Sequence, residues 1–169
     1  MQNPHTYLLP PHGNIPNNQQ LPVLVYPQAL QASDNLTSAF KDAFARNNWR
    51  GSWVNGVFSY HHYHSHSHEA LGVAAGSAIL MLGGPGGMTC QVNAGDLLVL
   101  PAGTGHCLQA ASSGFKVVGA YPAGQEAYDI CTEADDVEAK RSNIARVPMP
   151  KTDPVAGKDG PLLQHWDQA

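Results

Sequence analysis

The sequence predicts a single all-β domain, a sandwich or barrel of short strands. A chain of 169 residues is long enough for one hydrophobic core but short for two ordinary domains. Only 13% of the residues are charged, while 17 glycines and 13 prolines supply many turn positions. Seven short apolar runs, separated by glycine and proline, indicate consecutive strands. These runs are 54–64, 69–75, 77–82, 88–92, 97–100, 105–110 and 115–121.

Three segments are expected to build this one domain. Residues 1–52 contain extended apolar pieces that suggest edge strands or an arm, followed by an amphipathic helix over 35–47 that packs on the barrel. Residues 53–122 form the β core. Residues 123–169 hold a second helix, at about 133–146, with acidic residues early and basic residues late. The apolar tail after that helix is available to dock onto the barrel or a second subunit.

Charge, cysteine usage and the N-terminus exclude several classes of function. The formal net charge is −4 and no cluster of Lys and Arg occurs, which argues against nucleic acid and favours a small-molecule partner. The three cysteines are odd in number and widely spread, as expected in a reducing compartment. Neither a secretory signal nor an apolar run long enough to cross a bilayer is evident. We therefore expect a cytoplasmic protein that makes no membrane contact.

A dense histidine cluster is the main chemical feature of the sequence. Five of the nine histidines fall within residues 61–68, HHYHSHSH, and Glu69 follows directly. In a strand, alternate side chains share a face, so His62 and His64 can both point inward and share one metal ion. Tyr60 has the same parity, so it is a candidate pocket residue, although an ordinary core tyrosine fits its position equally well.

Strand parity alone leaves the set of metal ligands open. If the strand runs straight on, His66 and His68 also point inward and Glu69 points outward. A turn within residues 65–68 would instead reset the parity and bring Glu69 back on a neighbouring strand. Downstream, His106 follows a turn rich in proline and glycine at the start of a strand, where a single histidine ordinarily has no special role.

The spacing of these residues gives the histidines their significance, because it resembles the two signatures of the cupin superfamily. The first signature is complete and consists of Gly56, His62, His64, Glu69 and Gly76. The second consists of Gly95, Pro101, Gly103 and His106. It departs from the family at Ala110, where cupins have an asparagine that is not a metal ligand. The two signatures bracket about a third of the chain, and further phrases resemble small uncharacterised bacterial single-domain cupins over nearly the whole length.

The resemblance implies a fold and a metal site. The fold would be the cupin double-stranded β-helix, a jelly-roll barrel, with one N-terminal and one C-terminal flanking helix. The ligands of one divalent transition metal ion would be His62, His64, Glu69 and His106. Three imidazoles and a carboxylate suit Fe, Mn, Ni, Zn or Co. On this interpretation His61 points outward and His66 and His68 lie in a turn, and the roles of these three stay open.

The resemblance implies function only at the level of the site. The first expectation is a metal-dependent enzyme, a dioxygenase or an isomerase, that acts on a small oxygen-rich molecule. The alternative is a non-catalytic small-molecule-binding or sensor cupin with a structural metal. A metal-free sugar epimerase of the same fold is disfavoured, because those proteins lack the full ligand set. Cupins of this size usually pair through edge strands, so a homodimer is expected.

Overall fold

The computed structural model describes residues 1–167, and the last two residues of the predicted third segment lie outside that range. The strands of the described chain are β1 His5–Tyr7, β2 Val23–Tyr26, β3 Trp49–Asn55, β4 Glu69–Ala75, β5 Ser77–Leu82, β6 Met88–Asn93, β7 Leu97–Leu100, β8 His106–Ala111 and β9 Lys116–Pro122. Its helices are α1 Leu36–Arg46, α2 Val137–Ile144 and α3 Pro161–Trp166.

The strands form two antiparallel sheets, one of six strands in the order β1-β2-β7-β4-β9-β3 and one of three in the order β6-β5-β8. This arrangement confirms the all-β prediction and is compatible with a jelly roll. Within residues 1–167 no strand of one sheet pairs with a strand of the other, so the two sheets do not close into a continuous barrel. The predicted edge material is found in β1, whereas β2 lies inside the larger sheet, between β1 and β7.

Alternation along β4 divides its side chains between two apolar clusters. Leu71 and Val73 belong to the cluster between the two sheets, whereas Ala70 belongs to the cluster beneath α1 and α3. Because every second side chain of a strand shares a face, Glu69 at the start of β4 points the same way as Leu71. The fold therefore directs the Glu69 carboxylate into the space between the sheets.

The predicted helix over 35–47 is confirmed as α1. Its apolar stripe, which includes Leu36, Phe40 and Phe44, is buried against the outer face of the larger sheet. Fully burying one such side chain stabilises the fold by roughly 1.5–3 kcal/mol. The helix approaches β4 closely at Gly72, where a Cβ atom would lie 2.5 Å from the ring of Phe40. The absence of a side chain at Gly72 is what allows this contact.

The predicted strand over 54–64 is wrong in its extent. Strand β3 starts earlier and ends at Asn55, and the segment after it makes only isolated pairs, such as that of Tyr63 with Cys131. The backbone near Tyr63 is extended, as its sequence suggested. No second strand runs alongside it within residues 1–167, so its hydrogen bonds go to single residues of distant segments.

The C-terminal helices also differ from expectation. The helix expected at about 133–146 is the shorter α2, because the Asp136 side chain accepts hydrogen bonds from the N–H groups of Glu138 and Ala139 and so caps its start. A second flanking helix, α3, follows in the tail, with Leu162 and Trp166 buried in the cluster beneath α1. None of the helices in residues 1–167 has the length and apolar character that crossing a bilayer requires.

Candidate metal centre

The structure gathers His62, His64, Glu69 and His106 at one end of the space between the sheets. His106 opens β8, Glu69 opens β4, and the other two lie on the irregular segment before β4. His62 and His106 exchange both backbone hydrogen bonds, which brings their rings to 4.0 Å between centroids. All four residues are at most 6% exposed. The ligand nitrogens of the three histidines lie within 4.8 Å of one another, close enough to hold one ion.

A bend at residues 65–66 lets Glu69 face the histidines. The bend resets the alternation of side chains, which is the arrangement that the turn alternative requires. His68 consequently points to the opposite side of the sheet, where its ring lies 4.9 Å from that of Trp166. Its Nδ1 accepts a hydrogen bond of 2.9 Å from the Ala102 N–H. In this structure His68 is therefore part of the packing beneath the helices.

Backbone carbonyls fix the tautomer of each clustered histidine. The Nδ1 atom of each ring is hydrogen-bonded to a backbone carbonyl, and these pairs are His62 with Tyr60, His64 with Asp129, and His106 with Thr104. A carbonyl only accepts hydrogen bonds, so each Nδ1 carries the proton. In the neutral form of each ring, Nε2 then presents a lone pair to the cluster. This arrangement of the outer nitrogen is the usual one for metal-binding histidines.

The Glu69 carboxylate provides the negative charge of the cluster. Its Oε2 lies 2.6 Å from Nε2 of His64 and 3.7 Å from Nε2 of His106. The same oxygen is buried and makes no hydrogen bond of acceptable geometry. A buried oxygen without a partner is costly, and a cation among these atoms would satisfy it together with the nitrogen lone pairs. The donor set therefore fits a divalent transition metal ion.

The environment shifts the pKa values of the three imidazoles in different directions. Burial lowers the pKa of His62, and burial together with the neighbouring His62 and His64 lowers the pKa of His106 further. Burial also disfavours the charged form of His64, but the Glu69 carboxylate outweighs it and the pKa of His64 is raised. A proton between His64 and Glu69 therefore competes with a metal ion for the same atoms.

A cavity of about 210 Å³ opens above the cluster. Its walls are largely aromatic and include Trp53, Phe58, Tyr121 and Tyr128. The Trp53 indole donates a 2.8 Å hydrogen bond to the Tyr121 hydroxyl, and the rings of Tyr121 and Tyr128 stack at 4.6 Å. The cluster thus forms the polar floor of an apolar cavity, as small-molecule sites commonly have.

Comparison with known proteins identifies the family. The family model of the cupin domain matches residues 53–118. An uncharacterised protein of Bacillus subtilis strain 168, YjlB, is 38% identical over 162 residues, which cover 95% of each chain. This chain belongs to the cupin family.

Two solved structures have a low similarity to this cupin. The acireductone dioxygenase from Bacillus anthracis, with a cadmium ion in its active centre, has a TM-score of 0.40 and 16% identity, and the match covers 61% of this chain and 79% of that one. RmlC from Streptococcus suis, in complex with dTDP-D-xylose, has a TM-score of 0.41 and 14% identity over 96% and 93% of the two chains. These similarities are too low to support an inference about activity.

Asp129 supports the cluster of this cupin and was missed by sequence reasoning. Its backbone carbonyl accepts the hydrogen bond of His64, and its carboxylate accepts bonds from the N–H and hydroxyl groups of Ser65. Although burial opposes ionisation, the bonds from Ser65 and Cys131 lower the pKa of Asp129 below its ordinary value. No motif marks this residue, because its partners lie about 64 positions earlier in the chain.

The remaining sequence candidates lie around the site. The Tyr60 side chain is 47% exposed and stacks on Phe58 with ring centroids 5.0 Å apart. Phe58 lines the cavity, whereas Tyr60 is not among the residues of 1–167 that line it, so a role for Tyr60 towards a bound molecule stays a prediction. His61 is half-buried and the His66 side chain is 52% exposed. The aromatic wall residues Tyr121 and Tyr128 had no sequence signal.

Proposed function

We propose that this cupin binds one divalent transition metal ion through His62, His64, Glu69 and His106, and that it acts as a metal-dependent enzyme on a small oxygen-rich molecule. Its reaction would be of the dioxygenase or the isomerase type. One observation carries the proposal. Three imidazoles, each fixed by a backbone carbonyl, direct their Nε2 atoms towards a buried carboxylate oxygen without a hydrogen-bond partner, at the floor of an open cavity.

A bound ion would supply the positive charge that lowers the pKa of a chelated hydroxyl group. The chain would bind and shield the molecule. Leu71 and the aromatic side chains line the cavity beside the cluster. Burial raises the pKa of Tyr121, so its hydroxyl keeps its proton while it accepts the hydrogen bond from Trp53. The Tyr121 hydroxyl is thus a neutral hydrogen-bonding group beside the cluster.

Metal content tests the first half of the proposal. Protein purified without a nickel column should contain about one equivalent of a transition metal. The variant His106→Ala should lose it, because one of three converging imidazoles is removed. His5→Ala, which changes an exposed histidine on β1, is the matched control and should keep the metal. A His106→Ala variant that folds and retains one equivalent would contradict the proposal.

Assays under air and under nitrogen separate the two reaction types. A dioxygenase consumes one molecule of oxygen for each molecule of chelating substrate and places both atoms in product. An isomerase runs equally well under nitrogen, because it only moves protons within the substrate. The panel should contain chelating acids, enediols, hydroxyketones, diketones, aromatic diols and sugars. If none of these molecules is converted under either gas, the enzymatic half of the proposal fails.

A structural metal is the second candidate function, and one observation favours it. Glu69 belongs to the six-stranded sheet and His106 to the three-stranded sheet, while His62 lies on a segment held by isolated backbone pairs. An ion bound by all three would tie these parts together. Unfolding upon metal removal would support this alternative, whereas loss of metal with the fold intact supports a functional site.

We also propose that the protein works as a cytoplasmic homodimer. Strands β1 and β3 are the outer strands of the larger sheet, so their free edges could pair with a second copy. The three cysteines are unpaired and buried, which suits a reducing compartment. Light scattering coupled to gel filtration should give twice the 18.0 kDa mass of one chain. A monomer at micromolar concentration would contradict the dimer.

A further inference from the structure

We infer that the molecule bound at this site is a bidentate oxygen chelator with a single negative charge and a flat, apolar body, and not a small dianion such as a dicarboxylate. Hydroxyketones, enolised diketones and singly ionised aromatic diols belong to this class. The inference rests on the proposed metal site and names the class of its ligand.

The charges around the cavity favour a ligand with a single negative charge. Glu69 is the only acidic residue of the described chain that lines the cavity, and no lysine or arginine of residues 1–167 lines it. A divalent ion, one carboxylate and three neutral imidazoles leave a single positive charge. A chelator with one negative charge neutralises that site. A second negative charge would be buried without a cationic partner, which is unfavourable in an apolar cavity.

The aromatic rings at the mouth of the cavity favour a flat ligand. Phe58 and Tyr128 lie at the mouth, with 45% and 40% of their surfaces exposed. The Phe58 ring meets that of His62 edge-on at 5.1 Å, and the Tyr128 ring meets that of His64 in the same way at 5.1 Å. Each aromatic ring thus adjoins one of the proposed ligands. A flat molecule that chelates the ion would extend between these rings, where stacking contributes about 0.5–1.5 kcal/mol for each ring pair.

The walls offer few polar groups to the body of a ligand. The Tyr121 hydroxyl is already paired with Trp53, and the Asn55 side-chain oxygen accepts a bond from the Gly56 N–H. Apart from the Tyr128 hydroxyl, the other wall residues offer mainly hydrocarbon, for example Val57 and Leu71. A molecule with many hydroxyl groups on its body would leave most of them without hydrogen-bond partners. The oxygens of the ligand are therefore expected at the ion, and its body is expected to be apolar.

The test uses cobalt-loaded protein and three probes, with the visible cobalt absorption as the readout. Tropolone is a flat aromatic chelator with one negative charge, acetohydroxamate is a monoanionic chelator without a ring, and oxalate is a dianion. We expect tropolone to bind at least tenfold more tightly than oxalate, after each affinity is divided by that of the probe for free cobalt. Equal or tighter binding of oxalate would overturn the inference.

Variants of the mouth identify the source of the preference. Phe58→Ala and Tyr128→Ala should each weaken tropolone binding by about tenfold and leave acetohydroxamate unchanged. Ile130→Ala is the matched control, since it removes an exposed apolar side chain that does not line the cavity. Phe58→Arg places a cation at the mouth and should strengthen oxalate binding. Unchanged tropolone affinity in both alanine variants would overturn the inference.

The outcomes also separate this inference from the proposed function. A protein that takes up no cobalt contradicts the metal site and the inference together. A protein that takes up one equivalent of cobalt but shows no preference among the three probes contradicts the inference alone.

Discussion

At the scale of single residues, the proposed metal centre depends on groups that hold the histidine rings in place. The Asp129 carbonyl orients His64, while the Asp129 carboxylate fixes the bend that starts at Ser65. The same carboxylate accepts bonds from Cys131 and Lys140 and so ties the bend to α2. Asp129 is therefore a positioning residue, whose effect on an ion passes through His64.

The variant Asp129→Ala should weaken metal binding without removing a ligand. Without the carboxylate, the Ser65 N–H and hydroxyl lose their partner and the bend is free to move His64. Outer partners of metal ligands typically change affinity by roughly 10–100-fold, and we expect the lower end because the backbone carbonyl remains. Competition with a coloured chelator measures the dissociation constant. Asp42→Ala, at an exposed position on α1, serves as the control, and equal affinities of both variants would contradict the role of Asp129.

His68 makes a pH-dependent contribution to stability. Burial lowers the pKa of His68 from 6.5 to about 3, so the folded protein keeps this imidazole neutral. The unfolded chain takes up the proton below about pH 6.5. The contribution is therefore present above that pH and is lost as the pH falls from about 6.5 towards 3.

Comparison with His68→Asn isolates this effect, because the asparagine oxygen can still accept the Ala102 N–H. Between pH 7 and pH 5 the free energy of unfolding of the parent protein should fall by about 2 kcal/mol more than that of the variant. Urea denaturation in the presence of a chelator, at both pH values, provides the measurement. Parallel losses in the two proteins would show that His68 is protonated equally in the folded and unfolded states.

At the scale of elements, the packing of α1 on β4 shapes the outer core. The contact is close because Gly72 carries no side chain beneath Phe40. Leu36 and Phe44 extend the same contact along the helix. A disturbance here would reach β4, and β4 begins with Glu69.

The substitution Gly72→Ala should destabilise the protein by about 1–3 kcal/mol, because the new methyl group would overlap the Phe40 ring. Gly56→Ala is the matched control, since Gly56 has no atoms within 4 Å of an added Cβ and no positive φ angle. We expect this control to change stability by less than about 0.5 kcal/mol. Chemical denaturation measures both, and a Gly72→Ala variant as stable as the control would contradict the close packing.

Sequence patterns predicted the strands and helices that follow a regular periodicity. They missed the segments that are held by single contacts with residues far away in the chain. Strand β4 and helix α1 follow from local periodicity, and both were found where expected. The segment 56–64 was predicted as a strand because it is extended, but its partners are isolated residues such as Cys131. The position of His68 depended on a bend that parity could not decide. Asp129 and Tyr128 could not be predicted at all, since only the folded chain brings them to His64.

At the scale of the whole molecule, the proposed ligands come from both sheets. Glu69 starts a strand of the six-stranded sheet, and His106 starts a strand of the three-stranded sheet. His62 and His64 lie on the segment that passes between them. A ligand that binds only the folded state stabilises it according to its concentration, by about 2.7 kcal/mol at one hundred times the dissociation constant. One ion bound at the floor of the cavity would therefore also join the two sheets and stabilise the folded protein.

Anomalous diffraction from crystals of metal-loaded protein tests the proposed metal site most directly. Data collected at the absorption edge of the bound metal should show one strong peak between the sheets. We expect this peak at about 2.0–2.2 Å from the Nε2 atoms of His62, His64 and His106 and from a carboxylate oxygen of Glu69. A peak on the exposed His66 instead, or an ion at the three imidazoles with the Glu69 carboxylate turned away, would contradict it.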